Sequence, residues 1–279
     1  MTTHVLLCSD LDRTLLPNGP QEESPEARLF LNVLAKRPEV TIVYVSGRHK
    51  SLLLEAIKEY EIPVPDFAIG DVGTTIYEIN DNQWLSLDSW EQEIASDWND
   101  ISRDELQDVF DDLDWLKLQE SEKQNRFKLS YYTALDIDNE SLLKEMQRRL
   151  SAIEVRASLI WSVDKLNHVG LLDVLPASAT KYHAIRFLMN QKGFDKQTTV
   201  FAGDSGNDMP VLTSGLQSIL VRNAEEDIKA EAIQSLKRKG LEDKLYLAHG
   251  GFLGMNGNYA AGVLEGLVHF VPATKAWFA

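Results

Sequence analysis

Two aspartates one residue apart follow the first apolar run of the chain. HVLLC leads into SDLDRTLL, with Asp10, Asp12 and Thr14. On an extended segment, side chains at i and i+2 share a face, so both carboxylates can enter one site. Their repulsion becomes tolerable beside a divalent cation, and magnesium takes hard oxygen ligands next to a phosphate. The plain alternative is a polar loop in which Asp12 or Thr14 caps a turn. A second apolar run, TIVYV, ends in SGRHK. Here Ser46 offers a hydroxyl, Gly47 an accessible backbone N–H, and Arg48 a planar fork suited to phosphate oxygens. Read alone, this is also an ordinary turn with a solvated arginine. A third run, TTVFAG, ends in DSGND and brings Asp204, Asn207 and Asp208. Lys181 opens a helical pattern after LPASAT, where the helix dipole penalises a cation unless it faces an anion.

These residues need elements that converge. The first eighty residues alternate strand and helix patterns: HVLLC, then SPEARLFLNVLAKR with Ser24 as N-cap and proline at the first helical position, then TIVYV, KSLLLEAIKEY, FAIG and TTIYEI. The alternation returns after residue 174 with TKYHAIRFLMNQKG, TTVFAG, SILVRN, AEEDIKAEAIQSLK and NYAAGVLEGLVHF. Such a pattern predicts an α/β fold, a Rossmann-like, doubly wound, mainly parallel sheet. Residues 81–173 differ. They hold a capping box at Ser102 and Glu105, strand patterns RFKLSYYT, EVRASLIWSV and HVGLLDVL, and a helix at NESLLKEMQRRL. The expected organisation is a core of residues 1–80 plus 174–279 with an inserted α+β domain at 81–173. The glycine-rich GGFLGMNGN reads as a turn ahead of the last helix. In an open α/β sheet, ligands bind beyond the carboxyl ends of the strands, and Asp10, Asp12, Ser46 and Asp204 all fall there.

Composition sets the limits. The chain has 279 residues, 44% hydrophobic and 25% charged, and its apolar runs are strand-sized. The N-terminus lacks the basic region of a signal peptide, so a cytoplasmic location is expected. The single cysteine, Cys8, excludes an intrachain disulfide. A formal charge of −15 argues against nucleic acid and anionic membranes as partners. An anionic substrate would therefore need a locally positive site.

Together, DLDRT, VSGR, the helix-opening Lys181 and GDSGND resemble the four motifs of the haloacid dehalogenase superfamily of phosphatases. The insertion lies where that family carries its larger, C2-type cap. The resemblance implies that Asp10 is the nucleophile and forms an aspartyl-phosphate, with Asp12 as general acid and base, and Lys181 with Ser46 holding the phosphoryl group. Thr14, Gly47, Arg48 and Asn207 would line that group. Mg2+ would be bound by Asp10, the backbone carbonyl of Asp12, Asp204 and Asp208. A donor of protons to an alkoxide should have a raised pKa, so that is expected of Asp12. Within the superfamily, FKLSYY, LLDVLP, ILVRNAEEDI and YAAGVLEGLVHF are similar to the sucrose-phosphate phosphatases. This implies sucrose 6-phosphate or a related glycoside phosphate as substrate, with Lys128, Ser130, Tyr131, Asp164, Lys165 and Asn167 as candidate sugar contacts. Each of these is also an ordinary strand or loop residue. Association with the synthase that makes the sugar phosphate is a further implied partnership.

The letters GDSG also surround the nucleophilic serine of trypsin-like proteases. Here Asn207 stands where the G-x-S-x-G elbow needs glycine, and none of the six histidines is singled out as a base for Ser205. A phosphomutase shares both aspartates and the cap type. A non-catalytic sugar-binding module is the alternative outside enzymes.

Overall fold

The computed structural model describes residues 4–164 and 167–278. The chain divides into two compact units, Met1–Ser86 with Lys181–Ala279, and Leu87–Thr180. The larger unit opens with β1 (Val5–Ser9), α1 (Ala27–Leu34), β2 (Val40–Val45), α2 (Lys50–Glu59), β3 (Phe67–Gly70), β4 (Thr75–Asn80) and β5 (Gln83–Ser86). The smaller one contains α3 (Asp88–Ala95), α4 (Arg103–Asp108), β6 (Lys117–Leu118), β7 (Leu129–Thr133), α5 (Asn139–Ala152), β8 (Ala157–Asp164) and β9 (Val169–Pro176). The chain then returns through α6 (Lys181–Lys192), β10 (Thr199–Gly203), α7 (Met209–Leu212), β11 (Gln217–Leu220), α8 (Glu226–Lys239), β12 (Leu245–Leu247) and α9 (Ala260–Phe270).

The larger unit is built on an eight-stranded sheet in the order β12-β11-β10-β1-β2-β3-β4-β5. Strands β12 to β3 run parallel, and β4 and β5 form an antiparallel edge. Every residue of β1 is buried, as expected of a strand with both faces covered. Chain order runs outward from β1 on both sides, to β2 and to β10, so the carboxyl end of β1 is a topological switch point.

Both borders of the insertion differ from the sequence expectation of 81 and 173. Asp81 and Asn82 both have positive φ, 49° and 62°, and join β4 to β5 through a two-residue turn between the paired Asn80 and Gln83. That geometry belongs to a primed hairpin turn, which asparagine and aspartate tolerate. The hairpin therefore stays with the large sheet. At the other border β9 continues to Pro176, which pairs with Ala157 of β8. The smaller unit is a four-stranded antiparallel sheet, β6-β7-β9-β8, with a core that includes Trp90, Trp98, Leu129, Met146 and Leu172. Its Ser102 and Glu105 form the expected reciprocal cap of α4.

Ser24 does not cap α1. The helix begins at Ala27, and the Ser24 hydroxyl instead accepts a hydrogen bond from the Asn256 N–H at 2.9 Å. The glycine-rich stretch is a turn, with Gly250, Gly251, Gly254 and Gly257 all at positive φ. It is tied down from both sides. Asn256 and Asn258 each donate to the Glu22 carbonyl, while buried Glu265 of α9 accepts from the N–H groups of His249 and Gly250. No helix among the described residues is long and apolar enough to cross a membrane.

Helix α9 lies close against the sheet because Gly266 carries no side chain. A Cβ there would meet Ile219 of β11 at 2.4 Å. Alanine would gain about 1 kcal/mol of helix propensity over glycine. Overpacking a buried β-branched neighbour costs roughly 1–3 kcal/mol and should win. Gly266→Ala is therefore expected to lower the urea midpoint. A raised midpoint would show that α9 can back away from β11 without penalty.

Candidate active site

The parallel register brings the ends of β1, β2 and β10 to one edge. Asp10 leaves β1 with its N–H donating to the Ala202 carbonyl at 2.9 Å, and Ser46 leaves β2 with its N–H on the Ile69 carbonyl at 2.8 Å. Beyond β1 the chain winds tightly: the Leu11 carbonyl accepts from the N–H groups of Thr14, Leu15 and Leu16. Lys181, the first residue of α6, is buried and inserts its ammonium among the acids. Its Nζ donates to Asp10 Oδ1 at 3.0 Å, Asp208 Oδ1 at 2.8 Å and Asn207 Oδ1 at 3.4 Å. The lysine at a helix N-terminus thus faces anions, which explains a placement the dipole opposes.

Asp10, Asp204 and Asp208 are all buried, and one oxygen from each lies within 4.8 Å of the others. Asp208 Oδ2 accepts from the Asp204 N–H at 3.1 Å and so fixes the turn that carries both acids. That approach is possible only because Gly203 has no side chain, since a Cβ would come within 2.6 Å of Asp208 Oδ2. Thr14 is fully buried and donates to Asp204 Oδ1 at 3.1 Å, so its hydroxyl orients a carboxylate. Arg13 Nε lies 3.6 Å from Asp204 Oδ2. Three carboxylates therefore face two cations. Burial pushes Asp10 up to about 7, with the Asp208 charge adding to it and Lys181 opposing it. Asp204 is also raised, by burial and then by Asp208. Burial lowers the Lys181 pKa, but the two carboxylates outweigh it and the ammonium is held at about 12. Crowded oxygen donors with unbalanced negative charge fit a hard divalent cation.

Asp12 contributes no carboxylate to that group, and its environment corrects the sequence expectation of a raised pKa. Arg48 grips it with a fork, Nε on Oδ2 at 2.9 Å and Nη2 on Oδ1 at 2.7 Å, and Asn18 Nδ2 donates to Oδ1 at 2.6 Å. Burial pushes the carboxyl up, but these donors prevail and hold it below the usual carboxylate range. Arg48, expected to face a phosphate, spends its fork on Asp12. Its own N–H donates to the buried Ser46 hydroxyl at 3.2 Å, which places Ser46, Gly47 and Arg48 in one turn. Ser205 donates its hydroxyl to Asn207 Oδ1 at 3.0 Å and is part of the turn that seats Asp208.

The candidate sugar contacts fall in the smaller unit. Tyr131 is 4% exposed and packs edge-on against Phe110, and Ser130 is fully buried with its hydroxyl on Asp173, so both serve that unit's interior. Lys128 is buried as well. Asp164 accepts from the backbone and side-chain nitrogens of exposed Asn167, and Lys165 lies outside the described residues. Three residues went unnoticed in the sequence: Asn18, Asn223 and Gly203. In LLPNGP, VRN and FAGD they carry only the signal of turns and strand ends.

Removing Lys181 should expose the cost of burying these acids. Leaving a buried charge unpaired costs roughly 3–5 kcal/mol, so Lys181→Met should lose that much in urea melts run with a chelator. In an Asp10→Asn background the same substitution should cost at least about 1 kcal/mol less, because one of the facing charges is gone. Equal costs in the two backgrounds would mean that the ammonium and Asp10 do not pair in solution.

Comparison with known proteins identifies the fold and the family. A protein of Nitrosococcus oceani, named no further than a HAD-like hydrolase, is 58% identical over 99% of this chain and 74% of its own length. The mannosylfructose-phosphate phosphatase of Agrobacterium fabrum is 26% identical over 95% of this chain and 96% of its own. Among solved structures, the sucrose-phosphatase of Synechocystis sp. PCC6803, crystallised with sucrose and phosphate, aligns with a TM-score of 0.71 at 24% identity. That alignment covers 96% of this chain and 98% of the other, and it shows the same HAD-like fold. The model of the sucrose-6F-phosphate phosphohydrolase family matches residues 3–271, and the chain belongs to that family of sugar-phosphate phosphatases.

Proposed function

We propose that this phosphatase depends on magnesium and hydrolyses sucrose 6-phosphate through an aspartyl-phosphate on Asp10. The observation that carries the reading is the Lys181 ammonium lying between Asp10 and Asp208, with Asp204 completing a buried acidic group. A carboxylate approaches a phosphate only where cations offset the repulsion. Magnesium held by Asp10, Asp204 and Asp208 would supply that offset and polarise the phosphoryl oxygens. Asp10 then bonds to phosphorus as the sugar alkoxide leaves with a proton from Asp12. In the second half, water attacks the same phosphorus, Asp12 takes its proton, and inorganic phosphate departs with Asp10 restored.

The ionised Asp12 of the resting protein suits the second half, where a base is required. For the first half it must gain a proton. A phosphate dianion nearby, drawing the Arg48 fork toward itself, raises the proton affinity of Asp12 on both counts. The roles of Ser46, Gly47 and Asn207 as donors to the phosphoryl group belong to the same reading. We assign the choice of sugar to the inserted unit and the working compartment to the cytoplasm. A second reading, mannosylfructose-phosphate hydrolysis, is favoured by the end-to-end match to a phosphatase of that name.

Phosphate release from a panel of sugar phosphates, with magnesium and with a chelator, tests all of this. Sucrose 6-phosphate is expected to give the highest kcat/KM, with activity abolished by the chelator. Asp10→Asn should lower kcat by roughly a thousandfold or more. A tenfold preference for the mannosylfructose phosphate would transfer the assignment to the second reading. Transfer of phosphate within the sugar, with none released, would mean a mutase.

A further inference from the structure

The carboxylate of Asp12 is gripped from two directions, and only one of the grips comes from its own loop. Arg48, at the entrance to α2, supplies the fork described above. Asn18 supplies the other: its Nδ2 donates to Asp12 Oδ1 at 2.6 Å, while its Oδ1 accepts from the Arg13 N–H at 2.7 Å. A single side-chain amide thus bridges the backbone next to Asp12 and the Asp12 carboxylate itself. The intervening Arg13 sits in the left-handed region, with φ 59°, a conformation that a long side chain holds only when its surroundings fix it. Its carbonyl is fixed as well, by Asn223 Nδ2 at 2.6 Å, and Asn223 is in turn anchored by the Tyr259 N–H at 2.8 Å. Both peptide groups flanking Arg13 are therefore pinned by asparagine amides.

Asparagine in an L-P-N-G turn often satisfies nearby backbone, and the contact with the Arg13 N–H does that. The contact with Asp12 closes the same loop and in addition fixes where the carboxylate points. We infer that Asn18 is a positioning residue for Asp12, holding its carboxylate in the orientation needed to pass a proton to the leaving alkoxide. This rests on the phosphatase reading given above. When a bound phosphate shares the Arg48 fork, the amide of Asn18 remains as the local donor that keeps Asp12 aligned. Because Asn18 is exposed, replacing it should leave folding nearly intact.

The test separates positioning from turn geometry by choice of variant and by leaving group. Asn18→Asp keeps an oxygen for the Arg13 N–H but loses the donor to Asp12; Asn18→Ala loses both. Each is assayed with a sugar phosphate, whose alkoxide needs a proton, and with 4-nitrophenyl phosphate, whose phenolate leaves without one. The quantity read is kcat/KM, which reports only the steps up to departure of the leaving group. Both variants should lose roughly 10- to 100-fold on the sugar phosphate and less than about threefold on the aryl phosphate. Equal losses on the two substrates, or wild-type behaviour of Asn18→Asp, would overturn the inference and reduce Asn18 to a turn residue. Wild-type protein that releases phosphate from neither substrate would instead sink the underlying reading.

Discussion

Buried carboxylates must be neutralised or protonated, and here one ammonium does most of the neutralising. Removing a carboxylate from water costs several kcal/mol even after relaxation, so Asp10 and Asp208 hold their geometry because Lys181 lies between them. The same constraint orders the chain. Lys181 begins the segment that follows the inserted unit, Asp10 follows the first strand, and Asp208 lies beyond the tenth. Contact among the three closes the larger unit over its own sheet edge. The compensation is incomplete, and the shortfall is what a divalent cation would offset.

The sheet supplies the rest of the precision. Parallel neighbours share a direction, so residues that leave β1, β2 and β10 arrive at one edge without any sequence proximity. Two small residues then permit close approach. Gly203 admits the Asp208 carboxylate, and Gly266 lets α9 lie against β11, the strand that leads to Asn223. The glycine-rich turn extends that support, since Asn256 and Asn258 tie the α9 end to the loop that follows Asp12. Motion at this loop is thereby opposed by a helix and a turn from the far end of the chain.

The acids, the lysine and the main strands were legible because each follows from local periodicity. A buried strand has a recognisable end, and an acid placed there points where the sheet topology dictates. What the sequence hid depends on partners distant along the chain. Nothing around Asp12 announces that Arg48 will embrace it, so its lowered pKa could not be read from DLDRT. Asn18 and Asn223 gain their meaning only from the left-handed turn at Arg13. Tyr131 lies on a strand whose two faces are both covered, where alternation gives no hint of which side chains stay accessible. The border at residue 81 failed for a chemical reason: Asp81 and Asn82 look like the start of a polar segment, yet they are the residues a primed hairpin requires.

The formal charge of −15 opposes a doubly charged substrate, yet its reach is short. At physiological ionic strength charges more than about 8 Å apart are largely screened, so the field a phosphate meets at the sheet edge is set by the nearest groups. There, Asp12 and Arg48 cancel one another, and the Asp10, Asp204 and Asp208 carboxylates outnumber the cations that face them, Lys181 and an Arg13 shared with Glu225. A divalent cation would offset that excess. On the proposed reading, metal and phosphate binding would be linked through the same charges: each would favour the other, and neither would require the surface of the protein to be positive.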